Sequence, residues 1–168
     1  MAQVYLICGK ICSGKTTYAH KLCRDHGAVL LSVDEIMLSM FGQHCGEMHD
    51  TYADRTKKYL LDKAAELIGN GISVVLDWGF WRKDDRDAVR DFFGSRNIPY
   101  RFECIRISDE LWQKRIGMRN RSVLSGETEA YYVDENLAAK FESRFEMPDD
   151  DEIDNWILPE SSDCPAAE

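Results

Sequence analysis

The sequence predicts an α/β fold with a parallel sheet, and three observations support this class. Short apolar runs alternate with helical stretches along the chain, which is the pattern of βαβ units. Two of the runs, Val29–Val33 and Ile72–Leu76, are followed at once by an aspartate, Asp34 and Asp77 respectively. The first run is followed by a glycine-rich turn that starts at Gly9. Because ligands bind at the carboxyl ends of parallel strands, these turns predict a functional site at one edge of the sheet.

Each predicted strand is a short apolar run that ends at a glycine, an acid or a polar turn. The strands are expected at Val4–Cys8, Val29–Val33, Ile72–Leu76, Tyr100–Ile107 and Ile153–Leu158. The helices are predicted from apolar residues at helical spacing, from the cap residue Ser108 and from stop signals such as Gly94. They are expected at Lys15–Asp25, Asp34–Phe41, Tyr52–Ile68, Lys83–Phe93, Asp109–Asn120 and Asp134–Glu146, the last with Leu137, Phe141 and Phe145 as core residues.

Length and composition indicate one globular domain and exclude several classes of protein. The domain is expected over residues 1–158, with a loose acidic tail at 159–168. No apolar run is long enough to span a membrane. The net charge of −9 conceals a division, because residues 1–121 carry 19 basic and 16 acidic residues whereas residues 122–168 carry 2 and 14. The acidity argues against a protein that coats nucleic acid, but the slightly basic body is compatible with binding phosphate.

The six cysteines are predicted to be free thiols of a cytoplasmic protein. They include no C-x-x-C pair, and Cys8 and Cys104 lie in predicted strands. His44, Cys45 and His49 could supply metal ligands, but a fourth ligand is not evident, so no zinc site is predicted.

The residues between the first strand and the first helix match the phosphate-binding P-loop, G-x-x-x-x-G-K-[ST]. The glycines let backbone N–H groups and the helix N-terminus face phosphate oxygens. Lys15 is expected to neutralise the β- and γ-phosphates, and Thr16 to hold Mg²⁺ through its hydroxyl. An ordinary glycine-rich turn is the alternative, but it gives the Lys–Thr pair no purpose. The predicted ATP-binding segment is Gly9-Lys10-Ile11-Cys12-Ser13-Gly14-Lys15-Thr16 with the following Thr17.

The sequence narrows the class of P-loop protein further. It contains no N-K-x-D element, which a GTPase uses to read guanine. A chain of 168 residues leaves little room for a motor ATPase. A small kinase needs only a base near the acceptor hydroxyl and cations over the phosphates.

Three further segments resemble small bacterial P-loop kinases, a group labelled as AAA-family ATPases that includes polynucleotide kinases, chloramphenicol phosphotransferase and zeta-toxin-like kinases. The run 31–36 resembles their second-strand acid, 74–82 resembles their third-strand element, and Phe145-Glu146-Met147-Pro148 resembles a segment near the end of many members. The likeness covers roughly residues 3–150. It implies a three-layer P-loop NTPase fold, with a parallel sheet of about five strands in the order 2-3-1-4-5 and a short lid at about 121–133.

The resemblance also implies roles for the two strand-end acids. Asp34 would orient or deprotonate the acceptor hydroxyl, although capping the second helix is an alternative role for it. Asp77 would hold Mg²⁺ through a bound water, with a cap or turn residue as the alternative.

Aromatic and arginine residues complete the predicted site. Trp78, Phe80, Trp81 and Arg82 follow the third strand and would line an acceptor pocket, although packing against the next helix explains the aromatic rings equally well. Arg115 and Arg119 lie one helical turn apart, and Arg121 begins the predicted lid. Guanidinium groups match phosphate geometry, so Arg115 and Arg119 are predicted to act in transfer and Arg119 and Arg121 to bind ATP.

These observations predict an ATP- and Mg²⁺-dependent kinase that moves the γ-phosphate to a hydroxyl of a small molecule. Lys15, Asp34, Arg115 and Arg119 are the expected catalytic residues. A polynucleotide 5′-hydroxyl kinase is the first alternative, although no Lys/Arg-rich stretch supports it. A non-catalytic ATP-binding regulatory module is the second. The acceptor and the oligomeric state stay open.

Overall fold

The structure, a computed structural model, describes residues 1–43, 45–128 and 130–159. Its strands are β1 (Val4–Gly9), β2 (Val29–Ser32), β3 (Val74–Gly79), β4 (Tyr100–Ile105) and β5 (Asn155–Ile157). Its helices are α1 (Lys15–His26), α2 (Val33–Phe41), α3 (His49–Gly69), α4 (Lys83–Gly94), α5 (Asp109–Leu124) and α6 (Glu135–Arg144). Single turns of 3₁₀-helix lie at Gly46–Met48 and Asp150–Glu152.

The strands form one parallel sheet in the order β2-β3-β1-β4-β5, which confirms the predicted order. Every residue of β1 is buried, because this strand is central and both faces of the sheet are covered. On one face Leu6 belongs to a core cluster with Ala64 of α3 and Phe93 of α4. On the other face Ile7 clusters with Ala19 of α1. The predicted three-layer fold is therefore confirmed.

The boundaries of two elements differ from the prediction in ways that matter for the site. The third strand was expected to end at Leu76, but β3 continues to Gly79 because Asp77 is paired on both sides, with Ile7 of β1 and with Ser32 of β2. Helix α5 was expected to end at Asn120, and the residues from 121 onward to be irregular. The helix continues instead to Leu124, because the first glycine after Gly117 is at 126, where φ is +75°.

A buried ion pair ties the C-terminal segment to α4. Arg86 is 1% exposed, and its guanidinium donates two hydrogen bonds to the Glu152 carboxylate, at 3.1 and 3.0 Å. It also donates to the carbonyls of Phe80, at 3.2 Å, and Glu146, at 3.0 Å. The hydrogen bonds from Arg86 lower the pKa of Glu152 to about 2. Both charges are thus fully compensated inside the protein.

The remaining expectations about the whole chain concern the membrane and the cysteines. No helix in the three described ranges is long and apolar enough to cross a membrane. Cys8, Cys12, Cys23, Cys45 and Cys104 are free thiols, and Cys164 lies outside the described residues. His44, which was considered as a metal ligand, and the predicted tail beyond Pro159 also lie outside them.

Candidate functional site

The P-loop segment forms a tight turn between β1 and α1. Gly14 precedes the helix with φ of +100°, and a Cβ atom there would lie 2.7 Å from Nη1 of Arg115. Gly9 has φ of +147°, and a Cβ atom there would lie 2.9 Å from Oγ of Ser13. Both positions therefore require glycine. The Lys15 ammonium group donates a hydrogen bond of 2.7 Å to the Lys10 carbonyl, which holds it across the loop.

The interior of this loop has the features that an anion needs. The Ser13 hydroxyl is fully buried and has no hydrogen-bond partner among the described residues. It lies just before the N-terminus of α1, where backbone N–H groups have no partner within the helix. A phosphate group fits this arrangement, because it brings several strong acceptors to unpaired donors.

A hydroxyl and a carboxylate meet beside the loop. The Thr16 hydroxyl donates a hydrogen bond of 2.9 Å to Oδ2 of Asp77, whose residue is 5% exposed. Within the described ranges, no group of three or more His, Cys, Asp and Glu residues is placed to hold a metal ion. Mg²⁺ is usually bound by one or two protein oxygen ligands together with substrate phosphates, so the Thr16–Asp77 pair fits this metal.

Asp34 lies in the first turn of α2 and does not cap the helix. The cap is Ser32, whose Oγ accepts a hydrogen bond of 3.3 Å from the Glu35 N–H. The alternative role predicted for Asp34 is therefore wrong. Its side chain is exposed to the cleft, and its carboxylate accepts no hydrogen bond from the described residues. Desolvation within the cleft raises the pKa of Asp34, Lys15 opposes the rise and the charge of Asp77 adds to it.

Two arginines of α5 converge on the P-loop, as their spacing predicts. Arg115 Nη1 donates a hydrogen bond of 2.5 Å to the Ser13 carbonyl. Arg119 contacts Sγ of Cys12 at 3.6 Å and donates from Nε to the Tyr131 carbonyl at 3.1 Å. Arg119 thus joins the P-loop to the segment between α5 and α6.

Two predicted ATP-binding side chains lie away from the cleft. Arg121 is exposed and does not line it, because the helix continues past this residue and a step of two residues from Arg119 leads to the opposite face. The Lys10 ammonium group pairs with Asp109 at 3.2 Å and lies over the Trp112 ring, 4.7 Å from its centre. Lys10 therefore contributes its backbone to the loop, whereas Lys15, Arg115 and Arg119 line the cleft beside the loop.

The residues at the end of β3 and just after it form part of the cleft wall in different ways. Trp78 is half-buried and lies between two core clusters, while Phe80 is 1% exposed with its ring against Trp78 and Phe102. Trp81 lies over Gly79, where a Cβ atom would collide with the indole, and its ring meets Phe141 at 4.7 Å. Arg82 is exposed and pairs with Asp84 at 3.2 Å. Packing thus explains Phe80, whereas Trp78, Trp81 and Arg82 offer side chains to the cleft.

Helix α6 contributes to the cleft more than predicted. Leu137, Phe141 and Phe145 were expected in the core, but none of the α6 residues is fully buried, and Phe145 follows the helix. Leu137 and Phe141 line the cleft, and Phe145 packs against the main core.

The cleft has a volume of about 2420 Å³ and runs from the P-loop across Asp34 to α3 and α6. Two residues on its far side were not predicted as site residues. His49 begins α3 and hydrogen-bonds Asp50 through Nδ1 at 3.3 Å. Tyr131 belongs to the segment between α5 and α6, and its ring meets the His49 ring edge-to-face at 6.0 Å. Tyr131 lies within the predicted lid at about 121–133, and His49 was considered only as a metal ligand. Neither residue lies in a motif, so the sequence indicates their segments but gives neither side chain a role in the site.

Fold and site together define a P-loop NTPase with a kinase-like fold. A family model described as an AAA domain matches residues 4–148, so the chain belongs to that family. None of the curated proteins matches the chain.

Solved structures of kinases share the fold at low sequence identity. A sugar kinase from Janibacter sp. HTCC2649 has a TM-score of 0.63 and 18% identity, with 96% of this chain and 86% of that chain covered. The APS kinase of Mycobacterium tuberculosis, in complex with AMPPNP and APS, has a TM-score of 0.66 and 15% identity over 94% and 88%. A gluconokinase from Sinorhizobium meliloti 1021 has a TM-score of 0.61 and 13% identity over 96% and 84%. At these identities the likeness is one of fold.

Proposed function

We propose that this protein is an ATP- and Mg²⁺-dependent kinase that transfers the γ-phosphate to a hydroxyl of a small molecule. The observation that carries the proposal is the state of Asp34. Its carboxylate caps no helix, accepts no hydrogen bond from the described residues and lies in the field of Lys15, Asp77 and Arg119. An uncompensated carboxylate beside phosphate-binding cations is the arrangement that a general base for phosphoryl transfer requires.

Each residue then has a distinct task. Asp34 orients the acceptor hydroxyl and takes its proton as the hydroxyl oxygen bonds to phosphorus. Lys15, Arg115 and Arg119 neutralise the charge that spreads onto the phosphate oxygens and onto the oxygen whose bond to phosphorus breaks. Thr16 and Asp77 would hold Mg²⁺, which would supply further neutralisation of the phosphates. The raised pKa of Asp34 suits this task, because a base works best when its pKa is nearer the working pH.

The size and charge of the cleft support a small acceptor. A volume of about 2420 Å³ exceeds the roughly 300–1,000 Å³ of a pocket for one small ligand, so a nucleotide and a second molecule fit together. Beyond Asp34, the part of the cleft formed by α2, α3 and α6 carries charges of both signs. Asp54 pairs with Lys57 at 3.1 Å, and Asp50 pairs with Arg144 at 4.0 Å. This part of the cleft is therefore not the continuous basic channel that a polyanionic strand requires.

A polynucleotide 5′-hydroxyl kinase is kept as the second candidate. A structure of the Pnkp1/Rnl/Hen1 RNA repair complex has a TM-score of 0.67 with 18% identity, over 85% of this chain and 43% of that chain. The net charge of −9 and the lack of a Lys/Arg-rich stretch in the sequence are the observations against this candidate.

The cysteine pattern supports a reducing compartment, and we place the reaction in the cytoplasm.

The test is single-turnover transfer from γ-labelled ATP to sugars, sugar acids, nucleosides, amino alcohols, antibiotics and a 5′-hydroxyl oligonucleotide. Lys15→Ala and Asp34→Asn should each lower the transfer rate about 100-fold or more, whereas Glu35→Gln, a change at the neighbouring acid, should retain transfer. Transfer to the oligonucleotide alone, falling steeply with salt, would favour the second candidate. Slow hydrolysis that no acceptor accelerates would instead indicate an ATP-binding regulatory module.

A further inference from the structure

The Tyr131 hydroxyl is a buried polar group that the proposed reaction does not yet use. Its oxygen is inaccessible to solvent and has no hydrogen-bond partner among the described residues. Buried hydroxyl groups are nearly always paired, because an unpaired one loses its hydrogen bonds to water without replacement. Phenylalanine would fill the same space without this cost. The hydroxyl is therefore available to a partner from outside the described residues, such as a bound ligand.

The backbone around Tyr131 is fixed from both sides of the cleft. Arg119 donates to the Tyr131 carbonyl at 3.1 Å, and Gln43 donates to the Ala130 carbonyl at 2.7 Å. The amide of Asn120 makes two hydrogen bonds with the backbone of Val133, at 2.7 and 2.9 Å. The backbone that carries the Tyr131 side chain is thus held in place, which a binding group requires.

That place belongs to the same part of the cleft as Asp34. The Tyr131 ring packs edge-to-face on His49, and both residues line the cleft together with Asp34. Burial, and next the negative charge of Asp34, raise the pKa of Tyr131. The hydroxyl therefore stays protonated at neutral pH and can donate a hydrogen bond.

We infer that Tyr131 binds the phosphate acceptor, donating a hydrogen bond to a second oxygen of the molecule whose reacting hydroxyl lies on Asp34. This inference rests on the proposed kinase function and narrows its substrate class. An isolated alcohol would leave the Tyr131 hydroxyl unpaired, whereas a polyhydroxyl compound pairs both groups. A site built to hydrogen-bond a substrate oxygen discriminates strongly against an analogue that lacks it. The acceptor is accordingly a sugar-like polyol.

The experiment compares Tyr131→Phe with Tyr132→Phe, a matched change at the neighbouring tyrosine, which is 44% exposed and does not line the cleft. The probes are D-glucose, D-gluconate, D-ribose, adenosine and glycerol with ATP, beside 1-propanol and ethanolamine as compounds with one hydroxyl. Tyr131→Phe should raise the KM of the accepted polyol about 10- to 100-fold and the KM of ATP much less. Tyr132→Phe should match the parent, and thermal unfolding should show both variants folded.

Deoxy analogues of the accepted polyol provide the decisive part of the experiment. Among single-deoxy analogues of the accepted polyol, one should react about 100-fold less well with the parent and lose most of that penalty with Tyr131→Phe. An unchanged polyol KM in Tyr131→Phe, or an undiminished deoxy penalty, would overturn the assignment. Transfer by the parent only to the single-hydroxyl compounds would overturn the substrate class. If the parent protein transfers phosphate to none of these compounds, the proposed kinase function is wrong. This outcome is distinct from failure of the Tyr131 assignment, which is seen only by comparing Tyr131→Phe with an active parent.

Discussion

Two groups of charged side chains in this protein are partnered in opposite ways. Around Arg86, each charge is matched, and Glu152 receives two hydrogen bonds from the guanidinium. Around Asp34, the carboxylate receives none from the described residues; desolvation in the cleft is the largest influence on its pKa, and the like charge of Asp77 adds to it. The pKa shifts follow, since that of Glu152 is lowered to about 2 and that of Asp34 is raised. The first group stabilises the fold, and the second leaves a carboxylate ready to meet a substrate.

The largest expected effect comes from removing one partner of the buried Arg86–Glu152 ion pair. Arg86→Met should lower the free energy of unfolding by about 3–5 kcal/mol, because it leaves Glu152 buried without its main partner. Urea unfolding at pH 7 measures the change. Arg90→Met is the matched control and should cost less, because Arg90 is more exposed and reaches Glu152 at 3.3 Å. A loss below about 1 kcal/mol in Arg86→Met would show that the pair does not hold the C-terminal segment.

The next effect distinguishes Arg119 from Arg121, which were both predicted from the sequence to bind ATP. Arg119→Ala should lower the single-turnover transfer rate about 10²- to 10³-fold, because Arg119 lies on the P-loop, where charge develops. Arg121→Ala should stay within about twofold of the parent, since its side chain lies on the opposite face of α5. Equal losses in the two variants would contradict the placement of α5.

The sequence predicted the P-loop side of the site well. Gly9, Gly14, Lys15 and Thr16 lie in one contiguous motif, and contiguous motifs specify local backbone geometry directly. The strand order followed from the resemblance, and the convergence of Arg115 and Arg119 followed from helical spacing. Arg121 was predicted to begin the lid because α5 was expected to end at Asn120, whereas the helix continues to Leu124.

The acceptor side could not be predicted in the same way. His49 and Tyr131 meet across 82 positions of sequence, and only the tertiary fold brings them together. The partners of Arg86 lie in the β3–α4 turn and the C-terminal segment, so its burial has no local signal. The sequence fitted Phe80 equally well to the acceptor pocket and to the hydrophobic core. In the structure its ring packs against Phe102, which shows that it is a core residue.

The smallest expected effect is a displacement of the pH profile. Transfer requires ionised Asp34, and its raised pKa should move the acid limb of the transfer rate above the ordinary aspartate value of 3.8. Single-turnover rates across pH measure this limb. In Lys15→Ala, any residual transfer should show the limb at still higher pH, because Lys15 opposes the rise. An acid limb at or below pH 3.8 would show that the pKa of Asp34 is not raised in the folded protein.

The most direct test of the account is Asp34→Asn, with single-turnover transfer and thermal unfolding measured on the same preparation. The transfer rate should fall about 10²- to 10⁴-fold, since the base is lost. The Tm at neutral pH should rise, because a carboxylate whose pKa is raised on folding destabilises the folded state once it is ionised. A variant that transfers phosphate as fast as the parent, or that loses stability, would show that Asp34 is a structural residue and that the base lies elsewhere.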